Sequence, residues 1–136
     1  MTDPTAVVAD THALVWYVDA DERLSADARY TLDAATEADL PIYVPTITLL
    51  EMHYLTVRGR VAEGTPARLA QLLREANSAF EPYAMDTAVA VAATQAPWHL
   101  GDPADRIIAG TARVLDIPLV TRDRQLADSG YVTAVW

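Results

Sequence analysis

The spacing of apolar residues along the chain switches repeatedly between a strand pattern and a helix pattern. Short apolar runs predict strands at residues 5–10, 42–44, 80–83, 117–121 and 131–136, the last at a sheet edge. Helical spacing predicts helices at residues 12–18, 25–35, 46–58, 65–76, 86–95 and 102–115. Strands that alternate with helices predict the α/β class, as a three-layer α/β/α sandwich with a mainly parallel central sheet. At this length, residues 1–136 are expected to form a single domain.

Polar residues mark the starts of several predicted helices. Ser25 and Asp86 are expected to cap the second and fifth helices. Thr46, which follows Pro45, is the expected cap of the third helix. Thr65 is the expected cap of the fourth, since Pro66 would then occupy the first helical position.

Four carboxylates occupy positions that this fold would bring together. Asp10 ends the first predicted strand and Asp123 follows the fourth, at the carboxyl edge where open α/β sheets place their sites. Glu51 and Asp105 lie near the starts of apolar helices, where an unpaired charge is unfavourable. Clustered carboxylates repel one another unless a hard cation such as Mg²⁺ or Mn²⁺ binds them. The pattern therefore predicts metal-dependent phosphate chemistry.

Each acid also has a purely structural interpretation. Asp10 could cap the helix that begins at Thr11, and Asp123 could be a turn residue. Asp102 is expected to cap the helix opened by Pro103, and Asp105 could be the capping-box acid that accompanies it. Asp105 nevertheless shares a helical stripe with apolar residues, which predicts that it faces the sheet.

Glu51 could form a capping box with Thr48, tying its carboxylate to the backbone without chemistry. If Thr46 is the cap, however, Glu51 lies one turn inside the helix among apolar neighbours. A glutamate on that face needs a partner or a metal ion.

The charge balance limits how nucleic acid could be bound. The formal net charge is −9, and all ten basic residues are arginines. Such a chain is a poor general binder of nucleic acid, because phosphate contacts need positive charge. Five arginines flank the acids: Arg58, Arg60, Arg106, Arg122 and Arg124. Of these, Arg106, Arg122 and Arg124 are expected to form a positive rim that binds a substrate phosphate. Most arginines are more simply explained as solvated helix ends.

No cysteine is present, and no apolar stretch approaches the ~20 residues that a membrane span needs. The N-terminus has no basic region typical of a signal peptide. A cytoplasmic protein without membrane association is therefore expected.

Four segments, in order, resemble the motifs of one family. Residues 8–16 resemble the opening of a PIN domain, in the branch of VapC-type toxins that begins with Asp-Thr-His-Ala-Leu. Residues 46–51 are similar to that family's second acidic motif, and residues 119–123 to its fourth. Residues 102–109 resemble the third, with Ala104 where phenylalanine is usual. The spacing between His99 and Asp102 and the absence of a lysine after the second motif also depart from the family pattern.

The resemblance implies a PIN α/β/α sandwich and an Mg²⁺- or Mn²⁺-dependent endoribonuclease. It also implies the toxin of a type II toxin–antitoxin system, with an RNA substrate, a cognate VapB-like antitoxin and a homodimeric state. Asp10, Asp105 and Asp123 are then the expected metal ligands, directly or through water, and Glu51 a ligand or water-orienting base. Asp102 and Thr11 are expected to orient these ligands without binding the metal ion themselves.

Two other classes of protein with acids at strand ends fit the sequence less well. A phospho-accepting receiver domain needs a lysine after a late strand, and the chain has none. A haloacid-dehalogenase-like phosphatase needs Asp-x-Asp after the first strand, where this chain has Asp10-Thr11-His12. A non-catalytic PIN-fold interaction module and a Mg²⁺-dependent phosphate-handling domain stay open as alternatives.

Overall fold

The computed structural model describes residues 3–136. Its strands are β1 (Val7–Ala9), β2 (Ile42–Pro45), β3 (Phe80–Tyr83), β4 (Leu119–Val120) and β5 (Ala134–Val135). Its helices are α1 (Thr11–Val18), α2 (Ala26–Glu37), α3 (Ile47–Val57), α4 (Thr65–Arg74), α5 (Thr87–Thr94), α6 (Pro103–Leu115) and α7 (Arg124–Asp128). No helix within this range is long and apolar enough to cross a bilayer.

The strands form one sheet in the order β3-β2-β1-β4-β5. Every pair is parallel, with Val8 of β1 beside Tyr43 of β2 on one side and Leu119 of β4 on the other. The predicted parallel sheet is therefore confirmed, and β5 is the predicted edge strand. Parallel pairing places the carboxyl ends of β1, β2 and β4 at one edge of the sheet.

Alternation of side chains along the strands builds two cores, one on each face of the sheet. Val7 and Ala9 pack with α1, α2 and α4 on one face. Val8 points to the opposite face, where it packs with Ile108 and Ala109 of α6. Successive side chains of a strand point to opposite faces of the sheet, and helices cover both faces here. The sheet is therefore the middle of three layers, and the predicted α/β/α sandwich is confirmed.

Some helix starts match the prediction and others do not. Ser25 accepts a hydrogen bond from the amide of Ala28, and Asp86 accepts one from Val89, as expected of caps. Thr46 occupies the cap position of α3, but its side chain makes no capping hydrogen bond, because the residue already has helical backbone angles. The prediction for Thr65 was also wrong, since Gly64 is the cap residue of α4.

Helices α5 and α6 approach each other closely at Gly110. A Cβ added there would stand 3.0 Å from the amide nitrogen of Ala93 and 3.1 Å from the carbonyl oxygen of Val89. Glycine allows this separation without strain, whereas a Cβ would require the neighbouring backbone to move by a few tenths of an ångström. The contact fixes α5 and the loop that follows it against α6.

Candidate active site

A cleft of about 640 Å³ opens at the carboxyl edge of the sheet. All four predicted acids and Asp102 line it. Its walls come from the residue after β1, from α1, α3, α6 and β4, and from the segment after β4. The structure therefore brings together residues that are up to 113 positions apart, from Asp10 to Asp123.

Three of these acids also begin a helix. Asp10 follows β1 and accepts a hydrogen bond of 2.9 Å from the amide of Ala13. Asp102 accepts one of 2.9 Å from Ala104, and Asp123 accepts one of 2.9 Å from Leu126. Helix capping therefore does not compete with membership of a shared site. Capping fixes the carboxylates at the helix starts, and the parallel sheet brings those starts together.

Glu51 is oriented by a residue far away in the sequence. The hydroxyl of Thr11 donates a hydrogen bond to Oε1 of Glu51. Thr11 is buried, whereas Glu51 is half-buried at the wall of the cleft. Glu51 does not form the alternative capping box, and the hydroxyl of Thr48 is buried without a hydrogen-bond partner among residues 3–136.

The pKa of Asp105 is sensitive both to burial and to the neighbouring acids. Desolvation, followed by the charges of Glu51, Asp102, Asp10 and Asp123, raises its pKa to about 7. Solvent reaches the side chain through the open cleft, so the prediction that Asp105 faces the sheet was wrong. Protein surrounds the carboxyl on its other sides, which accounts for the desolvation.

Two neighbouring acids are affected in the same direction. Burial raises the pKa of Asp10, partly offset by hydrogen bonds from Thr121 and Ala13. Desolvation also raises the pKa of Glu51, which the hydrogen bond from Thr11 partly counteracts. Without a metal ion, Asp10, Glu51 and Asp105 are therefore harder to ionise than free carboxylic acids.

Asp123 has a partner that the sequence did not reveal. Nε2 of His99 lies 2.9 Å from Oδ2 and 3.1 Å from Oδ1 of Asp123. The backbone amide of Asp123 donates to the hydroxyl of Thr121 at 3.2 Å. The carboxylate is therefore held by His99 on one side and by the start of α7 on the other.

Comparison with known proteins decides the family. The PIN domain family model matches residues 7–130. Ribonuclease VapC22 from Mycobacterium tuberculosis is 32% identical over 127 residues, with 90% of each chain covered. The chain belongs to the VapC branch of the PIN domain family.

Solved structures support the same fold. This PIN domain is similar to a crystal structure of VapBC2 from Rickettsia felis, with a TM-score of 0.67 and 15% identity over 96% of this chain and 97% of that one. It is also similar to DNA-bound VapBC from Salmonella typhimurium, with a TM-score of 0.63 and 20% identity over 96% of each chain. At these identities the likeness concerns the fold.

The donors in the cleft of the PIN domain fit a hard divalent cation. All are carboxylate oxygens, the donors that Mg²⁺ and Mn²⁺ prefer. Desolvation, together with the charges of the neighbouring acids, raises the pKa of Asp105. Among residues 3–136, no three Asp, Glu or His side chains already form a coordination cluster. Coordination partly through water fits such a spread arrangement, because Mg²⁺ usually keeps several waters.

Arg122 is the predicted arginine that lines the cleft. Its guanidinium carbon lies 4.9 Å from the ring centroid of Trp16, and Arg23 lies over the same ring at 5.0 Å. A cation held on an aromatic face loses less freedom when it binds a phosphate. Arg122 is therefore positioned at the mouth of the cleft, beside Asp123.

The other two arginines do not form the predicted rim. Arg106 points away from the cleft and donates to five backbone carbonyls, which uses all its N–H groups. Arg124 is exposed at the first position of α7 and does not line the cleft. The cleft instead has Arg58 and Arg60 at its rim, just after α3.

Several residues of the cleft escaped prediction. His12, Tyr54 and Trp136 line it, and Trp136 packs edge-on against Trp16 with ring centroids 5.8 Å apart. The basic rim could have been predicted from Arg58 and Arg60, which lie on either side of Gly59. Both follow the helix that carries Glu51. His99 gave no signal, because its contact with Asp123 depends on the path of a loop.

Proposed function

We propose that this PIN domain is a metal-dependent endoribonuclease, the toxin of a type II toxin–antitoxin system, which a cognate VapB-like antitoxin inhibits. The observation that carries the proposal is the convergence of Asp10, Glu51, Asp105 and Asp123 on one cleft. Support also comes from 32% identity to a protein named as a ribonuclease. The phosphodiester bond of RNA is the proposed substrate.

Phosphodiester hydrolysis needs an activated water and stabilisation of the charge that develops on the phosphate. Bound Mg²⁺ or Mn²⁺ supplies both effects at such sites. Asp10, Asp105 and Asp123 would hold the ion, directly or through water. Glu51, with a raised pKa and a fixed orientation, is suited to accept a proton from the attacking water.

Arg122 would contact the phosphate of the substrate, and Arg58 and Arg60 would attract the strand to the rim. These three arginines provide local positive charge in a chain whose formal net charge is −9. Binding would therefore be confined to the cleft rather than spread over the surface.

The antitoxin is proposed from the structural neighbours, several of which are VapBC complexes. The acidic surface of this chain would favour a basic peptide. We further propose a homodimer acting in the cytoplasm. The exposed side chains of Trp98 and Val57, 96% and 72% accessible, are candidates for apolar contacts with such partners.

The test is cleavage of RNA by the purified, antitoxin-free protein with Mg²⁺ or Mn²⁺, and its loss on addition of EDTA. Asp10→Asn is the decisive variant, because asparagine can still cap α1 while the charge is removed. Asp86→Asn is the matched control, since Asp86 caps α5 outside the cleft. We expect Asp10→Asn alone to abolish both cleavage and growth inhibition in cells.

Cleavage that survives chelation, or a fully active Asp10→Asn, would contradict the nuclease proposal. An intact protein that binds the antitoxin but cleaves no RNA would favour the non-catalytic interaction module. Light scattering of the purified protein tests the dimer separately.

A further inference from the structure

The side chain of Arg106 makes five hydrogen bonds to the end of α5 and to the loop between α5 and α6, residues 95–101. Nε of Arg106 donates to the carbonyl of Ala93 at 3.0 Å. The Nη1 group donates to Pro97 and Leu100 at 3.0 and 2.9 Å. The Nη2 group donates to the carbonyls of two further residues, Thr94 at 3.2 Å and Ala96 at 2.8 Å. All five donors of the guanidinium are therefore used on one stretch of backbone.

This arrangement adds a charged donor to carbonyls at the end of α5 and in the loop, although Ala93 and Pro97 also accept from the amides of Ala96 and Leu100. Ala93 and Thr94 end α5, and the last carbonyls of a helix have no donor within the helix itself. The positive guanidinium also complements the negative end of the α5 dipole. Arg106 lies on α6, directly after Asp105. Its hydrogen bonds therefore connect the loop to the first turn of α6, where Asp102 and Asp105 are located.

The same loop contains His99 and places its side chain in contact with Asp123. His99 itself does not line the cleft, but its Nε2 contacts both carboxylate oxygens of Asp123 from behind. Asp123 stands just after β4, whereas Asp102 and Asp105 stand at the start of α6. His99 therefore links the acid after β4 to the acids of α6, through a loop whose shape Arg106 sets.

We propose that His99 and Arg106 are positioning residues: His99 orients the Asp123 carboxylate, and Arg106 holds the loop that presents His99. The inference rests on the proposed nuclease function, because the two residues would set the distance between the proposed metal ligands Asp123 and Asp105. Neither residue touches the substrate. Partners behind a metal ligand typically change metal affinity or activity by about 10–100-fold when they are lost.

The first experiment needs neither metal nor RNA. In the metal-free protein at fixed pH, the ring nitrogen resonances of His99 report its contact with Asp123. We expect them to shift in Asp123→Asn and in Arg106→Lys, which keeps the positive charge but loses the fork of donors. Arg74→Lys, at an exposed position in the last turn of α4, should leave them unchanged. Unchanged His99 resonances in Arg106→Lys would overturn the role of Arg106.

The second experiment measures Mn²⁺ affinity by electron paramagnetic resonance, together with kcat and KM for RNA cleavage. His99→Ala should weaken Mn²⁺ binding and lower kcat by about 10–100-fold, with little change in KM. His99→Gln retains an N–H donor and should recover most of both. Equal effects of alanine and glutamine, or a His99→Ala variant that binds Mn²⁺ like the parent, would overturn the role of His99.

The two proposals can fail separately. A parent protein that cleaves no RNA contradicts the nuclease function, while the resonance shifts still decide whether Arg106 and His99 position Asp123. An active parent with an unaffected His99→Ala variant contradicts only the positioning role.

Discussion

Thr11 and Glu51 are joined by a hydrogen bond between the first turn of α1 and the second turn of α3. Forty positions separate them in the sequence, yet the buried hydroxyl has Oε1 of Glu51 as its partner. The residue directly after one acid of the cleft thus orients a second acid. This contact leads to the first prediction.

Thr11→Val should remove the hydrogen bond with little change in side-chain volume. Because that bond lowers the pKa of Glu51, we expect the pKa to rise further and RNA cleavage near neutral pH to fall. Loss of a partner for a half-buried carboxylate should also reduce the free energy of unfolding by about 1–3 kcal/mol. Thr11→Ser, which keeps the hydroxyl, should behave like the parent in both urea unfolding and cleavage. A loss in Thr11→Ser together with a parent-like Thr11→Val would show that the methyl group matters instead.

The raised pKa of Asp105 predicts how the stability of the metal-free protein depends on pH. The folded protein keeps this proton up to about pH 7, whereas the unfolded chain releases it near 3.8. Between those values the folded state binds more protons, so stability should fall as the pH rises through this window and level off above it. Asp105→Asn should remove that component of the decrease. Asp27→Asn, in the first turn of α2, is the matched control and should retain it. Melting curves in EDTA from pH 4 to 8.5 make the comparison.

Metal should act on stability through the same carboxylates. Mn²⁺ should raise the melting temperature of the parent, with a gain that grows logarithmically once the free ion exceeds its dissociation constant. Asp105→Asn should be as stable as the parent or more stable in EDTA at pH 8, and should respond less to added Mn²⁺. A variant destabilised equally in both buffers would identify Asp105 as a helix-start acid without a role in metal binding.

Arg122 and Arg124 should differ sharply despite being two residues apart. Arg122→Gln removes a cation at the mouth of the cleft, and we expect KM for RNA to rise about tenfold, the equivalent of 1.4 kcal/mol. The dependence of binding on salt should also become weaker. Arg124 lies outside the cleft, so Arg124→Gln should change KM little. Titrations of a labelled RNA at several salt concentrations distinguish the two variants.

Gly110→Ala tests the close packing of α5 on α6. Alanine favours a helix more than glycine does, but its Cβ would stand 3.0 Å from a backbone nitrogen of Ala93. Because backbone cannot move as easily as a side chain, we expect a loss of about 1–3 kcal/mol in the free energy of unfolding. Gly101→Ala, where no atom lies within 4 Å of the added Cβ, should be close to neutral. Urea unfolding of both variants checks the difference.

Periodicity and strand order made the sheet and its functional edge predictable from the sequence. Apolar runs located all five strands, and the rule that sites lie at the carboxyl ends of parallel strands placed Asp10 and Asp123 at the cleft. Helix α7 was missed, because five residues are too few to show a helical period. Asp123 caps this helix, but the sequence alone suggested only a turn residue at that position.

Contacts that depend on loop paths could not be predicted. Arg106 sits beside Asp105 in the sequence, which suggested a substrate contact, but the direction of its side chain is set by the carbonyls of the loop before α6. The contact of His99 with Asp123 has the same origin. Local sequence describes which groups are present, whereas the three-dimensional course of a loop decides which of them meet.

The helix-capping role of the acids affects whether the protein can fold before it binds a metal ion. Asp10, Asp102 and Asp123 each bind a backbone amide at the start of a helix, so part of their negative charge is compensated by the chain itself. Zinc fingers and many other small metal-binding domains, in contrast, fold only when the ion binds. We therefore expect the metal-free chain to be folded, so that an inhibitor could bind it in the absence of any metal ion.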